Sequence, residues 1–427
     1  MSRVRVENGQ RYCPGSIAPT GSVAAVSEMP VGGEARVGAM AGFLLGSAGM
    51  FATMYSTQAI LPDIGRTFHV GPAGTGLTIS AVVAAVAAGV WLWGPLSDRI
   101  GRRRSIVVAS ALLVLPTIAA GLAPTFGVLL ACRAAQGLCM PGLLAVGVPY
   151  VMEAFGPWLG GRAMGVYVSA LVVGGLIGRL GIAFLAAGVG WRWAVGGLAV
   201  LPAAAAVVMY WSLPDVGPPA RSGSRGGGVP AQLRNGLLLR IGIAGGALFF
   251  TFVGVFSYAV FRLRRPPFNL GGTASALIFV FWLLGAVGPF AGKYAERVGW
   301  RRVALAAVAC CLTGVALTIP PTLPTFAVGL ALVTLAMFSG VTALQLGITA
   351  AAVVDRGAAS AVYFSLYYGA GAIGGYVPGL AWQAWHWDGV AAAGLAAASL
   401  AGVALLSSRG TASVRRRASR RARSAPA

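Results

Sequence analysis

Apolar runs of about 20 residues recur along this chain, each closed by charge, by a Gly/Pro cluster or by a short polar turn. A helix rises 1.5 Å per residue, so about 20 apolar residues are what crossing a bilayer's hydrocarbon core requires. The runs predict twelve membrane helices. The first six cover roughly 38–61, 75–96, 104–122, 126–150, 163–186 and 194–211. The second six cover roughly 238–260, 273–294, 302–320, 324–346, 358–381 and 388–407. Between the sets, residues 212–237 are rich in Pro, Gly, Ser and Arg and read as a flexible cytoplasmic linker. The expected organisation is a flexible leader (1–37), a six-helix bundle (38–211), the linker, a second six-helix bundle (238–407) and a basic tail (408–427). The fold class expected is therefore an all-α integral membrane protein, with twelve transmembrane helices in two pseudo-symmetric six-helix bundles.

Composition agrees with lipid as the solvent. Hydrophobic residues make up 57% of the chain and charged residues 10%, against about 25% charged in soluble domains. The net charge of +22 would suggest a nucleic-acid partner in a soluble protein, but here it follows the positive-inside bias of membrane loops, and no nucleic acid is expected. With both termini in the cytoplasm, the inner segments hold 25 basic residues and the outer ones five, while Arg133 and Arg179 lie inside helices. Three of the outer five, Arg262, Arg264 and Arg265, crowd one loop against this trend, and the pattern offers no reason for them. The leader has Arg3, Arg5 and Arg11 but no apolar run, so it is not a secretory signal. The tail from Arg409 to Arg423 suits either anionic lipid headgroups or simple reinforcement of topology. The five Cys show no metal-ligand spacing, so neither a metal site nor a disulfide framework is implied.

The two halves repeat. Gly94-Pro-Leu-Ser-Asp98-Arg99-Ile-Gly101-Arg102-Arg103-Arg104 aligns with Gly292-Lys-Tyr-Ala-Glu296-Arg297-Val-Gly299-Trp300-Arg301-Arg302, 198 positions later. Pro124-Thr-Phe returns at Pro324, and Gly174-Gly175 at Gly374-Gly375, both 200 positions later. Three echoes in order at nearly one offset indicate duplication, and parallel six-helix halves belong to a known transporter architecture.

The loop after the second helix resembles the signature G-x-L-x-D-r-x-G-R-[KR] of the major facilitator superfamily, matching at Gly94, Leu96, Asp98, Gly101, Arg102 and Arg103. That resemblance implies a conformational lock: Gly94, Asp98, Arg99, Gly101, Arg102 and Arg103, with Glu296, Arg297 and Gly299 in the duplicate, would hold the cytoplasmic face shut when the carrier opens outward. Trp300 stands where the family repeats a basic residue, so the second lock is expected to be weaker. In the fourth helix, Leu129-Leu-Ala-Cys-Arg133-Ala-Ala-Gln136-Gly137 resembles the family's l-x-x-x-R-x-x-q-G, whose Arg is associated with proton coupling. The plain alternative is an Arg snorkelling to the boundary. In the fifth helix, Gly174-Gly175-Leu-Ile-Gly178-Arg179 departs from the drug-antiporter pattern G-P-x-x-G-G at Gly175 and Arg179. It is similar instead to bacterial acriflavine-sensitivity or arabinose-efflux-like permeases, as is Tyr55-Ser-Thr-Gln58-Ala-Ile-Leu-Pro62.

Candidate site residues follow. Asp63, at the outer end of the first helix, is the acidic candidate for coupling, with Arg133, because none of the ten acidic residues falls mid-membrane. Tyr55, Gln58, Gln136, Arg179, Tyr258, Gln345 and Tyr367 are the candidates for substrate contact, and each alone could equally serve helix packing. Arg133 and Arg179, at similar depth, either attract an anionic group or bond backbone carbonyls separately. Without a buried carboxylate, neutral or anionic cargo is favoured over a permanent cation.

The reading is a monomeric secondary transporter in the bacterial inner (plasma) membrane. It exports a small amphipathic molecule by alternating access, with protons as the coupling ion and no cofactor. Metabolite uptake or exchange without proton antiport is the alternative. A channel lacks a reason for the duplicated acidic-plus-Arg loop. An intramembrane enzyme lacks a nucleophile–base or metal pattern inside the helices, and a phosphate-binding GxxxxGK[ST] loop is missing.

Overall fold

The computed structural model describes residues 33–215, 228–352 and 355–407. The expected leader up to residue 32, the centre of the linker and the basic tail lie outside the described residues. Among those described, eleven helices are long and apolar enough to cross a membrane: α1 (Gly38–Phe68), α2 (Pro72–Ile100), α3 (Arg102–Leu122), α4 (Phe126–Val151), α5 (Ser169–Val189), α6 (Trp191–Ser212), α7 (Gly236–Leu263), α8 (Gly272–Val298), α9 (Trp300–Leu317), α10 (Leu323–Ala351) and Gly357–Ser407. The last is two crossings. Its backbone leaves helical geometry at Trp385 and His386, the latter at φ 49°. Gly389 then packs against the Ala381 carbonyl, which a straight helix would place about 12 Å away. The chain therefore turns back there, giving α11 (357–384) and α12 (387–407) and twelve crossings in two bundles. Large apolar side chains such as Leu115, Phe290 and Leu122 remain on the outside, where lipid replaces water and no folding cost attaches to them.

Duplication is visible in the packing. Gly101 and Gly299 adopt φ +88° and +96°, values at which a side chain would be strained, and each makes the tight turn from the second helix of its half into the third. Two residues on, Arg103 donates to the Tyr210 carbonyl at 2.6 Å, while its counterpart Arg301 donates to the Leu405 and Leu406 carbonyls. A cation at a helix C-terminus satisfies unpaired carbonyls and opposes the helix dipole. In both halves the motif thus fastens the third helix to the end of the sixth. Likewise Gly174 lies against the Ala48 backbone and Gly374 against the Phe250 backbone, so α5 crosses α1 as α11 crosses α7. Small residues permit such close approach in lipid, where packing rather than hydrophobicity drives association.

Three departures from regular helix are not evident from hydropathy, and they cluster. The first helix is not one run. It stops at Tyr55, passes through a tight turn over Gln58–Ile60 and restarts at Leu61–Phe68, because Pro62 supplies no N–H and clashes with the preceding turn. α5 carries a wide turn over Ile177–Gly181, a distortion frequent at functional sites. α8 is wound tightly over Leu277–Val287, far longer than such turns usually run.

The halves meet along α2 and α11. Gly76 and Gly375 touch through backbone, Ser80 donates to the Ala372 carbonyl at 2.6 Å, and Trp91 Nε1 donates to Ser365 Oγ at 2.9 Å.

Candidate functional site

The break in α1 exposes backbone groups that need partners inside an apolar medium. Arg133 of α4 supplies them. Its guanidinium is fully buried and donates to the carbonyls of Thr53 (2.8 Å), Met54 and Thr78 (3.1 Å), and to Gln136 Oε1 at 2.7 Å. Gln136 in turn donates to Thr117 Oγ1 at 3.1 Å. Arg133 therefore does not snorkel. It ties α1, α2 and α4 together, and Gln136 belongs to that tie rather than to a cavity wall.

Arg179 has a different setting. The wide turn of α5 holds its guanidinium beside the same break, fully buried. Nε donates to Gln58 Oε1 at 2.7 Å and Nη1 to the Gly175 carbonyl at 2.8 Å. Nη2 is buried and makes no hydrogen bond. The rings of Tyr55 and Trp282 each lie 4.0 Å from the guanidinium carbon, and Phe279 lies at 5.4 Å. Such desolvated cation–π contacts are worth ~2 kcal/mol each. Gly175 explains its own presence: a Cβ there would come within 3.0 Å of Trp282 Nε1 and 3.1 Å of Arg179 Nη1. The two departures from the antiporter pattern are thus one feature, Gly175 making room for Arg179 and its Trp.

Tyr55 and Trp282 also line a cavity of about 130 Å³ between the halves. Phe51 and Tyr55 of α1 with Leu171 and Val172 of α5 face Phe249, Phe252, Trp282, Met337, Phe338, Tyr367 and Tyr368 of the other half. Tyr367 stacks on Phe249 with centroids 4.2 Å apart. Among the described residues no Asp or Glu is buried, so this aromatic chamber sits beside an uncompensated cation.

Of the residues singled out from the sequence, Tyr55 and Tyr367 line the cavity. Gln58 and Arg179 stand behind its Tyr55–Trp282 wall, with Gln58 Nε2 donating across the halves to Ser257 Oγ at 3.0 Å. Tyr258 is buried in the interface, its hydroxyl donating to the Gly375 carbonyl at 2.8 Å. Gln345 is exposed and is not brought to this cluster. Reasoning from sequence missed Phe51, Phe249, Phe252, Trp282 and Phe338, since an aromatic residue in an apolar helix looks the same facing lipid or a chamber.

Asp63 lies at the far end of α1, where it joins the two halves. It accepts three bonds of 3.1 Å from the Arg264 guanidinium, across the halves, and also pairs with Arg66. This fork bounds a wider cavity of about 620 Å³, lined by Asp63, Arg66, Trp191, Arg264 and Thr273 among others. It also accounts for the anomalous arginines. Arg264 pairs with Asp63, Arg265 lies over Trp382 at 5.4 Å and Arg262 over Phe268 at 5.6 Å. At the opposite end Asp98, Arg99, Glu296 and Arg297 are exposed, and among the described residues neither Asp98 nor Glu296 has an ion-pair partner.

The model of the Major Facilitator Superfamily matches residues 43–375. The chain belongs to this superfamily. Among superfamily relatives, an uncharacterized MFS-type transporter, YybF, of Bacillus subtilis (strain 168) is 28% identical over 349 residues, covering 80% of this chain and 85% of that one. The inner membrane transport protein YnfM of Escherichia coli (strain K12) is 29% identical over 363 residues, 81% and 85% of the two chains. In shape the superfamily member here is similar to a bacterial homologue of the human lysosomal transporter Spinster in an inward-facing, unoccupied conformation, with a TM-score of 0.71 at 15% identity, covering 87% and 96%. These findings make the protein a multi-pass membrane transporter of small molecules, and not an enzyme.

Proposed function

We infer that this carrier exports a small amphipathic compound, neutral or anionic, through the aromatic chamber between its halves, by rocking those halves about α2 and α11. The observation that carries the reading is the chamber itself. It takes walls from both halves, so each swing changes its access, and its aromatic faces beside a buried guanidinium suit a flat apolar body and repel a cation. The Asp63–Arg264 fork shuts one end, while at the other neither Asp98 nor Glu296 has an ion-pair partner among the described residues. With the Asp98 end in the cytoplasm of a bacterial inner membrane, as the arginine distribution favours, the conformation is inward-facing. Patches shared with efflux-like permeases support export. Proton coupling is assigned to Asp63, whose protonation would remove the negative partner of the gate, and Arg133 holds α1 in the broken shape that places Asp63 there.

The test is transport into inside-out vesicles with and without a proton gradient, using neutral, anionic and cationic compounds of similar size. Gradient-dependent uptake of neutral or anionic members is expected. Uptake indifferent to the gradient would remove the proton-coupled version, and cationic dyes as the best cargo would overturn the reading of the chamber.

A further inference from the structure

Inside the membrane, a charge is normally paired or reaches water. Arg179 does neither: it is fully buried, no acidic side chain accompanies it among the described residues, and its compensation is two carbonyl oxygens and three aromatic rings. Its donor inventory is also unfinished. A guanidinium presents Nε–H and one Nη2–H along a single edge, spaced to match the two oxygens of a carboxylate. On that edge Nε is taken by Gln58 Oε1, a neutral acceptor, and Nη2 by nothing.

We propose that this edge of Arg179 is the receptor for the cargo's anionic group, so that the transported class is organic anions with a flat apolar body. The proposal rests on the reading that cargo occupies the central chamber. The body of such an anion lies among Phe249, Phe252, Phe338 and Tyr367, and its head reaches Arg179 between Tyr55 and Trp282. Those two rings stand 5.6 Å apart and one must turn to admit it. Buried Trp282 Nε1, which lacks a partner, becomes available to the same head group.

Binding carries a consequence for the halves. A carboxylate on the Nε–Nη2 edge displaces Gln58 Oε1. Gln58 is the residue that bridges to Ser257 in the other half, so losing its anchor on Arg179 loosens that bridge. Occupancy of the chamber is thereby felt at the contact between the halves, through a side chain that does not touch the cargo. Gln58 is a positioning residue in this scheme.

The experiment measures binding to the purified full chain in detergent or nanodiscs, by tryptophan fluorescence and calorimetry. The probes are matched pairs: benzoate with benzamide, and 1-naphthoate with 1-naphthamide, with benzylammonium as the cation. In the wild type each carboxylate is expected to bind about ten- to a hundredfold more tightly than its amide, the usual worth of one charge-assisted bond. Arg179→Gln should erase that gap, and if it does not fold, Arg179→Lys should narrow the gap. Gln58→Ala should tighten carboxylate binding several-fold, because the competing acceptor is gone. If neither carboxylate outbinds its amide in the wild type, the proposal is overturned, whatever the variants do. An unchanged gap in Arg179→Gln overturns it as well, by placing the anion elsewhere. Continued transport of neutral compounds in those cases would leave the chamber reading standing, whereas anion binding with no transport of any compound would sink that reading and keep the site.

Discussion

Two arginines at one break in α1 do different work, and the difference is set by their acceptors. Arg133 finds three backbone carbonyls and a glutamine, so its removal leaves several buried oxygens without donors, each costing about 1–3 kcal/mol. Arg133→Leu is therefore expected to lower thermal stability in detergent markedly, as well as transport. Arg179 contacts fewer acceptors, and Arg179→Gln should reduce transport with a smaller loss of melting temperature; equal losses in the two variants would contradict this division. Asp63 and Arg264 are a third case, a fork joining residues 201 apart. In a double-mutant cycle the pair should show a coupling energy of about 1–3 kcal/mol, measured by unfolding. Coupling near zero would mean that the gate is held by packing alone.

Among the elements, glycine and proline do what the hydropathy profile does not register. Gly174 and Gly374 let paired helices touch through backbone, so Gly174→Leu and Gly374→Leu should each cost about 1–3 kcal/mol as overpacking substitutions, with similar size because the crossings are related by duplication. A large effect at only one would show that the two crossings are not equivalent. Twelve crossings and the polar stretch at Tyr55–Gln58 were legible in the chain, since each depends on local composition. The wall of the chamber was not. Phe252 and Trp282 meet from different helices, Gln58 meets Arg179 121 positions away, and no local pattern encodes a pairing decided by how whole bundles pack. The anomalous loop arginines became intelligible for the same reason, once Asp63, Trp382 and Phe268 were seen beside them.

At the scale of the whole molecule, one end is latched by the Asp63–Arg264 pair, and at the other neither Asp98 nor Glu296 has an ion-pair partner among the described residues. A thiol-reactive cross-linker joining Asp63→Cys to Arg264→Cys should abolish transport, and a reducible version should restore it on cleavage; transport surviving the cross-link would show that this end never opens. Asp98→Asn should leave insertion intact while crippling transport, because the outward-facing state loses the latch at the Asp98 end; full activity would remove the lock from the mechanism. The twin arginine clamps bear on how the chain is made. Arg103 closes on a carbonyl 107 positions later and Arg301 on one 104 later, both still within their own half. During synthesis at about 5–20 residues per second, the first clamp waits on the order of ten seconds for its sixth helix to leave the ribosome. It can then fasten before the second half has entered the membrane. Each half is in this sense a finished assembly step, and two separately translated halves should find each other in the bilayer and work.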